Sequence, residues 1–276
     1  MTGSGATVAS VSTRARAATP VGVEWPLMLH SGDGRARVRP WWLDSSVAQL
    51  TFTDQGIVPS STAVRVWLGE LRARGFTSVR SGAVSEMGAD TLQRQGFRLV
   101  QRLDLLDLTL VGWQAPPDNG MATERLRVRD RPAAAIVDRA AFGDTWAIDA
   151  AGIGETCMAT PSHRSRAVGI EQVGGPIDGQ TIVGHIGSGP VAYAVTGRAG
   201  HTGYLQRLAV HPTYQFRGAG WSLTRDSLIW MQRRRLTRAM VNTHIDNDVA
   251  LGLYQRFGFR VLPQGLAVLS RRLDDL

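Results

Sequence analysis

One stretch of the sequence, residues 204–220, constrains the fold more than any other and reads Y-L-Q-R-L-A-V-H-P-T-Y-Q-F-R-G-A-G. A strand-like apolar run ends at His211–Pro212, where a proline breaks the strand. A short loop, Gln215–Gly220, follows, and a long helix-like segment begins at Trp221. A strand, a glycine-containing loop and a helix start present bare backbone N–H groups to a phosphate. The alternative is that the two glycines only make a tight turn that packs a helix close to a sheet.

A second pattern follows after one helix and one strand. Residues 237–243 are typical of a strand with an apolar centre, and a helix is predicted over 248–257. In these two patterns the chain resembles the GCN5-related N-acetyltransferase (GNAT) superfamily, over about residues 123–276. The loop matches the superfamily's Q/R-x-x-G-x-G/A pattern and the later stretch matches N-x-x-A-x-x-x-Y-x-x-x-G-F, at Gln215, Gly218, Gly220, Asn247, Ala250, Tyr254, Gly258 and Phe259.

The resemblance implies a mixed α/β fold, the GNAT acyltransferase fold, in the second half of the chain. The residue patterns predict helices over 132–142, 149–159, 219–234 and 248–257. They predict strands over 125–130, 165–173, 181–186, 190–196, 204–210, 239–243, 259–262 and 267–272.

The resemblance also implies acetyl-CoA, or another acyl-CoA, as acyl donor. In the superfamily the fourth and fifth strands splay apart, and the pantetheine arm pairs with the fourth strand, which is here the strand carrying Leu208, Ala209 and Val210. The pyrophosphate would lie against the loop and helix start, formed by Gln215, Phe216, Arg217, Gly218, Ala219, Gly220 and Trp221. Asn247 would cap the next helix, contact the pantetheine or its supporting helix, or do both; Asp246 is an alternative cap.

Tyr254 is the predicted general acid, because the superfamily assigns protonation of the departing thiolate to a tyrosine of the last helix. The alternative is a core aromatic residue on that helix. The sequence leaves the identity of the general base open. Gln206 stands where many relatives carry a glutamate, and a glutamine cannot take a proton. His244 has a suitable ordinary pKa, and weaker candidates are His201, Asp149 and Glu155; a chain of water molecules is a further alternative.

The composition narrows the class of ligand. All 31 basic residues are arginine and the formal net charge is +8, which suits an anionic ligand such as a nucleotide-linked cofactor. Nucleic acid binding is the competing interpretation, but the arginines are scattered and lack interleaved aromatic residues. The single cysteine, Cys157, excludes an internal disulfide and a cysteine-based metal cluster, and we expect it to be a small buried apolar residue. We predict no metal.

The length of 276 residues suits about two domains. We predict a disordered tail over 1–20, a first domain over 21–112, a linker over 113–122 that contains tandem prolines, and the acyl-CoA-binding domain over 123–276. In the first domain L-Q-R-Q-G-F parallels the later Y-Q-R-F-G-F, which indicates a degenerate duplicate, with Leu92 in the place of Tyr254. The alternative is a coincidental helix, turn and strand. A tandem layout of this kind is similar to that of mycothiol synthase, an actinobacterial enzyme.

The sequence therefore favours an N-acetyltransferase that acts on an amine of a small molecule or a protein. The first half would shape the substrate entrance without binding the cofactor. The alternatives are an inactive GNAT-like module that binds acyl-CoA as a regulator, and an arginine-rich nucleic acid binder. No apolar run approaches the ~20 residues that span a bilayer, and residues 1–20 lack the apolar core of a secretory signal. We expect a cytoplasmic protein without a membrane partner.

Overall fold

A computed structural model describes residues 25–32, 34–53, 58–170 and 189–274. The predicted tail over 1–20 and the predicted strand over 181–186 lie outside these residues. Within the described ranges, no helix combines the length and the apolar character that crossing a bilayer requires. The same ranges contain no group of three or more His, Cys, Asp or Glu side chains arranged to hold a metal ion.

The first half of the chain alternates strands and helices after an antiparallel start. Serine side chains begin both helices, since Ser60 accepts a hydrogen bond from the backbone N–H of Ala63 and Ser85 accepts one from that of Gly88. In chain order the elements are β1 Leu27–Ser31, β2 Gly34–Pro40, β3 Val47–Phe52, α1 Ser61–Ala73, β4 Ser78–Ser81, α2 Glu86–Arg94 and β5 Arg98–Thr109.

The second half follows the order that the sequence predicts, with one correction. In chain order its elements are β6 Glu124–Arg125, α3 Arg131–Phe142, α4 Ala150–Met158, β7 Ser162–Gly169, β8 Pro190–Ala199, β9 Thr202–Val210, α5 Ala219–Arg233, β10 Arg238–His244, α6 Asp248–Arg256, β11 Arg260–Val261 and β12 Leu266–Arg272. The strand predicted over 125–130 was wrong beyond Arg125, because Asp130 accepts the backbone N–H of Arg127 at 3.0 Å and turns the chain into α3.

The twelve strands of the described residues form one mixed sheet in the order β1-β2-β3-β4-β12-β5-β10-β9-β8-β7-β6, with β11 paired to β5. The order shows an exchange between the two halves of the chain. β5, from the first half, lies between β10 and β12, and β12, from the second half, lies between β4 and β5. Each half therefore completes the other half's part of the sheet.

The side chains of each exchanged strand also pack into the core of the other half of the chain. Leu106 and Leu108 on β5 are buried in the core that surrounds α5 and α6. Leu269 on β12 and Leu273 just after it are buried in the core that surrounds α1 and α2. The two cores consequently depend on chain segments that are distant in sequence.

The strand and helix order around the exchange is repeated. β3 and β4 pair in parallel through α1, and β9 and β10 pair in parallel through α5. In each case the second strand of the parallel pair also pairs with an exchanged strand that runs antiparallel to it. These antiparallel pairs are β4 with β12 and β10 with β5. The sheet is thus locally similar on both sides of the pair formed by β5 and β12.

Candidate active site

A gap opens in the sheet between β9 and β10. The two strands pair in parallel only from Thr202 opposite Arg238 to Leu205 opposite Val241, although both strands continue beyond these residues. The divergence begins at a β-bulge, since Val195 on β8 pairs with Arg207 and the next pair is Thr196 with Leu205. Gln206 is the extra residue of this bulge. Because a bulge bends its strand and increases its twist, it turns the end of β9 away from β10.

The gap widens into a cleft of about 1500 Å³. The end of β9, the glycine loop and α6 form one side of it, while β3, β4 and β5 of the first half form another. The segment between α3 and α4 forms the rim, through residues such as Phe142 and Trp146. Both halves of the chain therefore line a single cleft at the splayed strands.

The glycine loop joins the end of β9 to the start of α5. Gly218 has a φ of +94°, a conformation that favours glycine, and a Cβ there would lie 2.5 Å from the side-chain nitrogen of Asn119. The first hydrogen bond of the helix runs from the N–H of Ser222 to the carbonyl of Gly218. The N–H groups of residues 219–221 come before that bond, at the positive end of the helix dipole. This is the geometry of an anion site.

The predicted linker lies across this loop. The Asn119 side chain donates to the carbonyl of Gly218 at 3.1 Å and accepts from the Ser222 hydroxyl at 2.6 Å. The Trp221 indole donates to the carbonyl of Pro117 at 3.2 Å, and Arg225 pairs with Asp118 at 2.7 Å. The segment that the sequence predicts only as a linker thus fixes the start of α5. The only sequence signal for this segment is the Pro-Pro-Asp-Asn-Gly run, and that run does not indicate which part of the chain the segment contacts.

Tyr254 lines the cleft from α6 and is only 4% exposed. Its ring packs 5.8 Å from that of Phe259. Burial raises the pKa of Tyr254 well above the ordinary range for a phenol, so the hydroxyl keeps its proton at neutral pH. Asn247 caps the helix, because its side chain accepts from the backbone N–H of Ala250 at 3.1 Å. The alternative cap, Asp246, was wrong.

The structure brings most of the predicted site residues to the cleft. The lining includes Gln206, Leu208, Val210, Gln215, Phe216, Gly218, Ala219, Gly220, Trp221, His244, Asn247 and Tyr254. Ala209 is an exception, because its side chain is buried in the core beside α3 and α4 and does not line the cleft. Arg217 also lies outside the lining, with its guanidinium carbon 5.4 Å from the ring centre of Tyr214. Leu92, the residue that the predicted duplication would align with Tyr254, is fully buried in the core around α1 and α2.

The candidates for the general base lie at different places relative to the cleft. The Nδ1 atom of His244 accepts the backbone N–H of Asp246 at 3.1 Å, which places the proton of the neutral ring on Nε2 and occupies the free lone pair. Asp149 and Glu155 lie outside the cleft lining and both pair with Arg39, at 3.4 and 3.5 Å. His201 immediately precedes β9 and lies outside the cleft lining. Gln206 is at the cleft, with its side-chain oxygen buried and without a hydrogen-bond partner.

A buried ionic network that the sequence analysis missed supports the rim. Arg207, next to the bulge, binds both carboxylate oxygens of fully buried Asp138 on α3, at 2.8 and 2.6 Å. The Tyr193 hydroxyl donates to the same carboxylate at 2.5 Å. Burial, and then the negative charge of Asp138, raise the pKa of Tyr193 well above its ordinary value. Asp138 and Arg207 are isolated charged residues on a helix and a strand, so no sequence pattern indicates that they pair.

The same network reaches the cleft. Arg207 also donates to the backbone carbonyl of Trp146 at 2.9 Å, and Asp138 accepts the backbone N–H of Ile148 at 2.8 Å. The guanidinium of Arg207 stacks 3.6 Å from the ring centre of Phe142. These contacts hold the segment between α3 and α4 in place, so that the indole of Trp146 faces the first half of the chain.

The chain matches one protein-family model and one curated relative. Residues 152–259 match the model described as the acetyltransferase (GNAT) family. The chain is 35% identical over 57 residues to N-alpha-acetyltransferase 30 of Schizosaccharomyces pombe, which is 21% of this chain and 38% of that enzyme. The chain thus spans well under half the length of this curated relative.

Solved structures match over most of the chain. A GCN5-related N-acetyltransferase from Sphaerobacter thermophilus has a TM-score of 0.55 at 14% identity and covers 87% of this chain and 77% of its own. A tandem GNAT protein from the clavulanic acid biosynthesis pathway has a TM-score of 0.56 at 11% identity, with 88% and 81% covered. At such identities the likeness shows the fold alone, a mixed α/β fold of the kind found in these structures.

Proposed function

We propose that this chain, whose residues 152–259 match the model of the GNAT acetyltransferase family, transfers an acetyl group from acetyl-CoA to an amine. The observation that carries the proposal is the convergence of three features on one cleft: the splayed end of β9, the N-terminus of α5 and the buried hydroxyl of Tyr254. The relative from Schizosaccharomyces pombe, an N-alpha-acetyltransferase by name, supports an amine as acceptor.

The residues of the cleft fit acetyl-CoA. The edge of β9 at Leu208, Ala209 and Val210, which continues beyond the pairing with β10, would bind the pantetheine arm. The backbone N–H groups over 216–221 would bind the pyrophosphate, in a loop whose shape requires glycine at 218. Asn247, by capping α6, would hold that helix beside the arm.

The chemistry divides among the chain's own groups. Acetyl-CoA, when bound, supplies a thioester that an amine attacks, with the CoA thiolate as leaving group. Tyr254 would donate the proton to that thiolate, and a backbone N–H of β9 near the bulge would stabilise the oxyanion. Neither Gln206 nor the hydrogen-bonded Nδ1 of His244 is a ready proton acceptor, so we propose that the amine loses its proton through water to bulk solvent.

The layout of the chain supports a second proposal, that the halves 21–112 and 123–276 are duplicates of one fold with a degenerate first copy and a linker over 113–122. Its support is the repeated order of parallel strands, helices and antiparallel partner on either side of β5 and β12. In this proposal the first copy keeps no acyl-CoA site, since the counterpart of Tyr254 is the buried Leu92.

Thermal unfolding with and without ligand tests the proposed function. A ligand at 100 times its Kd stabilises a protein by about 2.7 kcal/mol, which shifts the Tm measurably. We expect CoA and acetyl-CoA to raise the Tm, and thiol release from acetyl-CoA to accelerate with an amine present. Absence of any Tm shift at millimolar CoA would refute acyl-CoA binding.

The second candidate function is a module that binds acyl-CoA without transferring the acyl group. The specific observation in its favour is the lack of a side-chain base at the bulge, where Gln206 stands. Thiol release separates the two functions. A Tm shift with CoA that is accompanied by no amine-dependent thiol release over a broad amine panel would favour the module.

Replacing Gly220 by glutamate should abolish the Tm shift with CoA. A Cβ at this position would lie 3.4 Å from the Leu253 side chain and 3.7 Å from that of Val210, both of which line the cleft. The longer side chain would therefore fill the space beside the loop and repel the phosphates. The matched control is Gly69→Glu on the exposed surface of α1, where an added Cβ meets nothing within 4 Å. A full CoA response in Gly220→Glu would remove this loop as the pyrophosphate site.

Replacing Tyr254 by phenylalanine should lower kcat by a factor of about 10² to 10⁴, the usual contribution of a general acid. The change removes one oxygen and leaves the ring packing, so the Tm shift with CoA should persist. Tyr204→Phe is the control, because Tyr204 lies on β9 outside the cleft lining. Equal loss of thiol release in both variants, or unchanged turnover in Tyr254→Phe, would exclude Tyr254 as the acid.

A further inference from the structure

The wall of the cleft that the first half contributes contains an arginine with an unusual environment. Arg80 lies on β4, where its register partners are Gln49 on β3 and Ser270 on β12. Its guanidinium carbon is 3.9 Å from the ring centre of Trp146 and 5.1 Å from that of Trp41. All three side chains line the cleft. The Arg80 guanidinium is thus flanked by two indoles, one from each half of the chain.

The Arg80 guanidinium has a nitrogen without a partner. Its Nη2 atom is buried and makes no hydrogen bond, and none of the carboxylates in the described ranges forms an ion pair with it. Other partly buried arginines do have such a partner: Arg207, Arg164 and Arg225 approach a carboxylate to 2.6, 2.7 and 2.7 Å. A buried donor left without an acceptor costs about 1–3 kcal/mol, and more when it is charged. An anion bound at this place would supply both the missing acceptor and the missing counter-charge.

The shape of the arrangement favours a carboxylate. Stacking on the Trp146 ring covers one face of the guanidinium and leaves its N–H groups pointing along the plane of the group. A carboxylate is planar and accepts two parallel N–H bonds in that plane. Burial lowers the pKa of Arg80 from its ordinary value, but an arginine stays charged in a protein, so the anion would meet a full positive charge.

Two further polar atoms of the cleft lack partners. The side-chain oxygens of Gln101 on β5 and Gln206 at the bulge of β9 are both buried without a hydrogen bond. Both residues line the same cleft as Arg80. An amine has N–H groups to donate to such acceptors, whether it is neutral or protonated. The Gln206 oxygen lies against Gly197 on β8 and would have to turn toward the cleft to accept from such an amine. The cleft thus combines a cationic donor with two residues whose acceptor oxygens lack partners, which complements a molecule that carries both a carboxylate and an amine.

From these contacts we infer that the acceptor is a free amino acid, whose carboxylate binds Arg80 while its amine lies toward Gln206 and the splayed end of β9. This inference rests on the proposed acetyl transfer and adds the class of acceptor to it. Trp146 acts as a positioning residue, because the bond from Arg207 to its carbonyl holds its indole against Arg80. A protein N-terminus, which has an amide in the place of the carboxylate, would leave Arg80 unsatisfied and bind less well.

Thermal shift measurements on the full chain saturated with CoA test the inference without requiring turnover. The probes are the twenty common amino acids, their carboxamides, the amines that lack the carboxyl group, and phosphoethanolamine as an amine with a phosphate. We expect at least one free amino acid to raise the Tm further, while its carboxamide and the corresponding amine do so only at concentrations about 30-fold higher or more. Thiol release from acetyl-CoA should follow the same ranking.

Substitution of Arg80 provides a second test of the amino acid inference. In Arg80→Gln the response to the preferred amino acid should weaken at least about 30-fold and its carboxamide should bind equally well, with the CoA response unchanged. Arg80→Lys, which keeps the charge without the planar fork, should retain part of the response. Arg139→Gln is the matched control, since Arg139 is an exposed arginine that also packs on a tryptophan, Trp42, but lies outside the cleft lining.

The outcomes separate this inference from the function on which it rests. A CoA response with no preference for carboxylates over carboxamides, or with preference for phosphoethanolamine, would overturn the amino acid acceptor and leave the acyl-CoA site standing. A weakened CoA response in Arg80→Gln would also overturn it, because Arg80 would then serve the donor. If the wild-type chain does not respond to CoA at all, the proposed function fails together with the inference. The wild-type comparison decides between these outcomes even if Arg80→Gln does not fold.

Discussion

A chain that ends at Gly265 is expected to lose its cooperative thermal unfolding transition altogether. The missing segment contains β12, which lies in the middle of the sheet and joins β4 of the first half to β5. Its removal would leave β4 and β5 with unpaired edges and would take Leu269 and Leu273 out of the core around α1 and α2. Unpaired strand edges and an open core together favour aggregation over folding.

The measurement is the yield of soluble protein together with its thermal unfolding curve. A chain that ends at Leu273 is the matched control, because it keeps β12 and the buried leucine after it, and it should unfold as the full chain does. If the chain ending at Gly265 stayed soluble, unfolded cooperatively and responded to CoA, the central role of β12 would be contradicted.

Replacing Asp138 by alanine should lower the free energy of unfolding by about 3–5 kcal/mol. The carboxylate is fully buried and accepts from the Arg207 guanidinium, the Tyr193 hydroxyl and the backbone N–H of Ile148. Its loss removes the carboxylate that a cation and two further donors share, and leaves Arg207 with only the Trp146 carbonyl as a hydrogen-bond acceptor. Native proteins are stable by only about 5–15 kcal/mol in total. Urea unfolding of the variant and the wild type gives the difference.

Asp144→Ala is the control for this substitution. Asp144 also pairs with an arginine, Arg139, but both side chains are about half exposed, so the loss should stay below about 1 kcal/mol. Asp138→Asn, which keeps the shape and one acceptor oxygen, should fall between the two. An Asp138→Ala variant as stable as Asp144→Ala would mean that the network around Arg207 contributes no net stability.

The sequence predicted the parts of the site whose geometry is local. The glycine loop, the helix that begins after it and the cap at Asn247 each depend on residues a few positions apart, and their boundaries agree with the structure within one or two residues. The strand predicted over 125–130 failed for a local reason as well, because the capping carboxylate of Asp130 outweighed the alternation of apolar residues.

The parts of the site that depend on distant pairing could not be predicted. The alternating pattern of β5 is compatible with either half of the sheet, and nothing in it specifies a position between β10 and β12. Arg80 is one of 31 arginines, and only the packing of Trp41 and Trp146 around it distinguishes it from the others. Side chains from residues 41 to 268 meet at the cleft, so long-range topology decides which of them become functional.

The exchange of β5 and β12 also has a consequence for biosynthesis. β12 is synthesised after all the other strands of the described residues, yet it completes the part of the sheet that contains β1 to β4. Strands β1 to β4 must therefore wait with β4 unpaired on one side until β12 has been synthesised. Pairings between such distant segments form slowly, and exposed edges invite misassembly in the meantime. We expect the newly made chain to depend on chaperones more than a chain of two independently folding domains would.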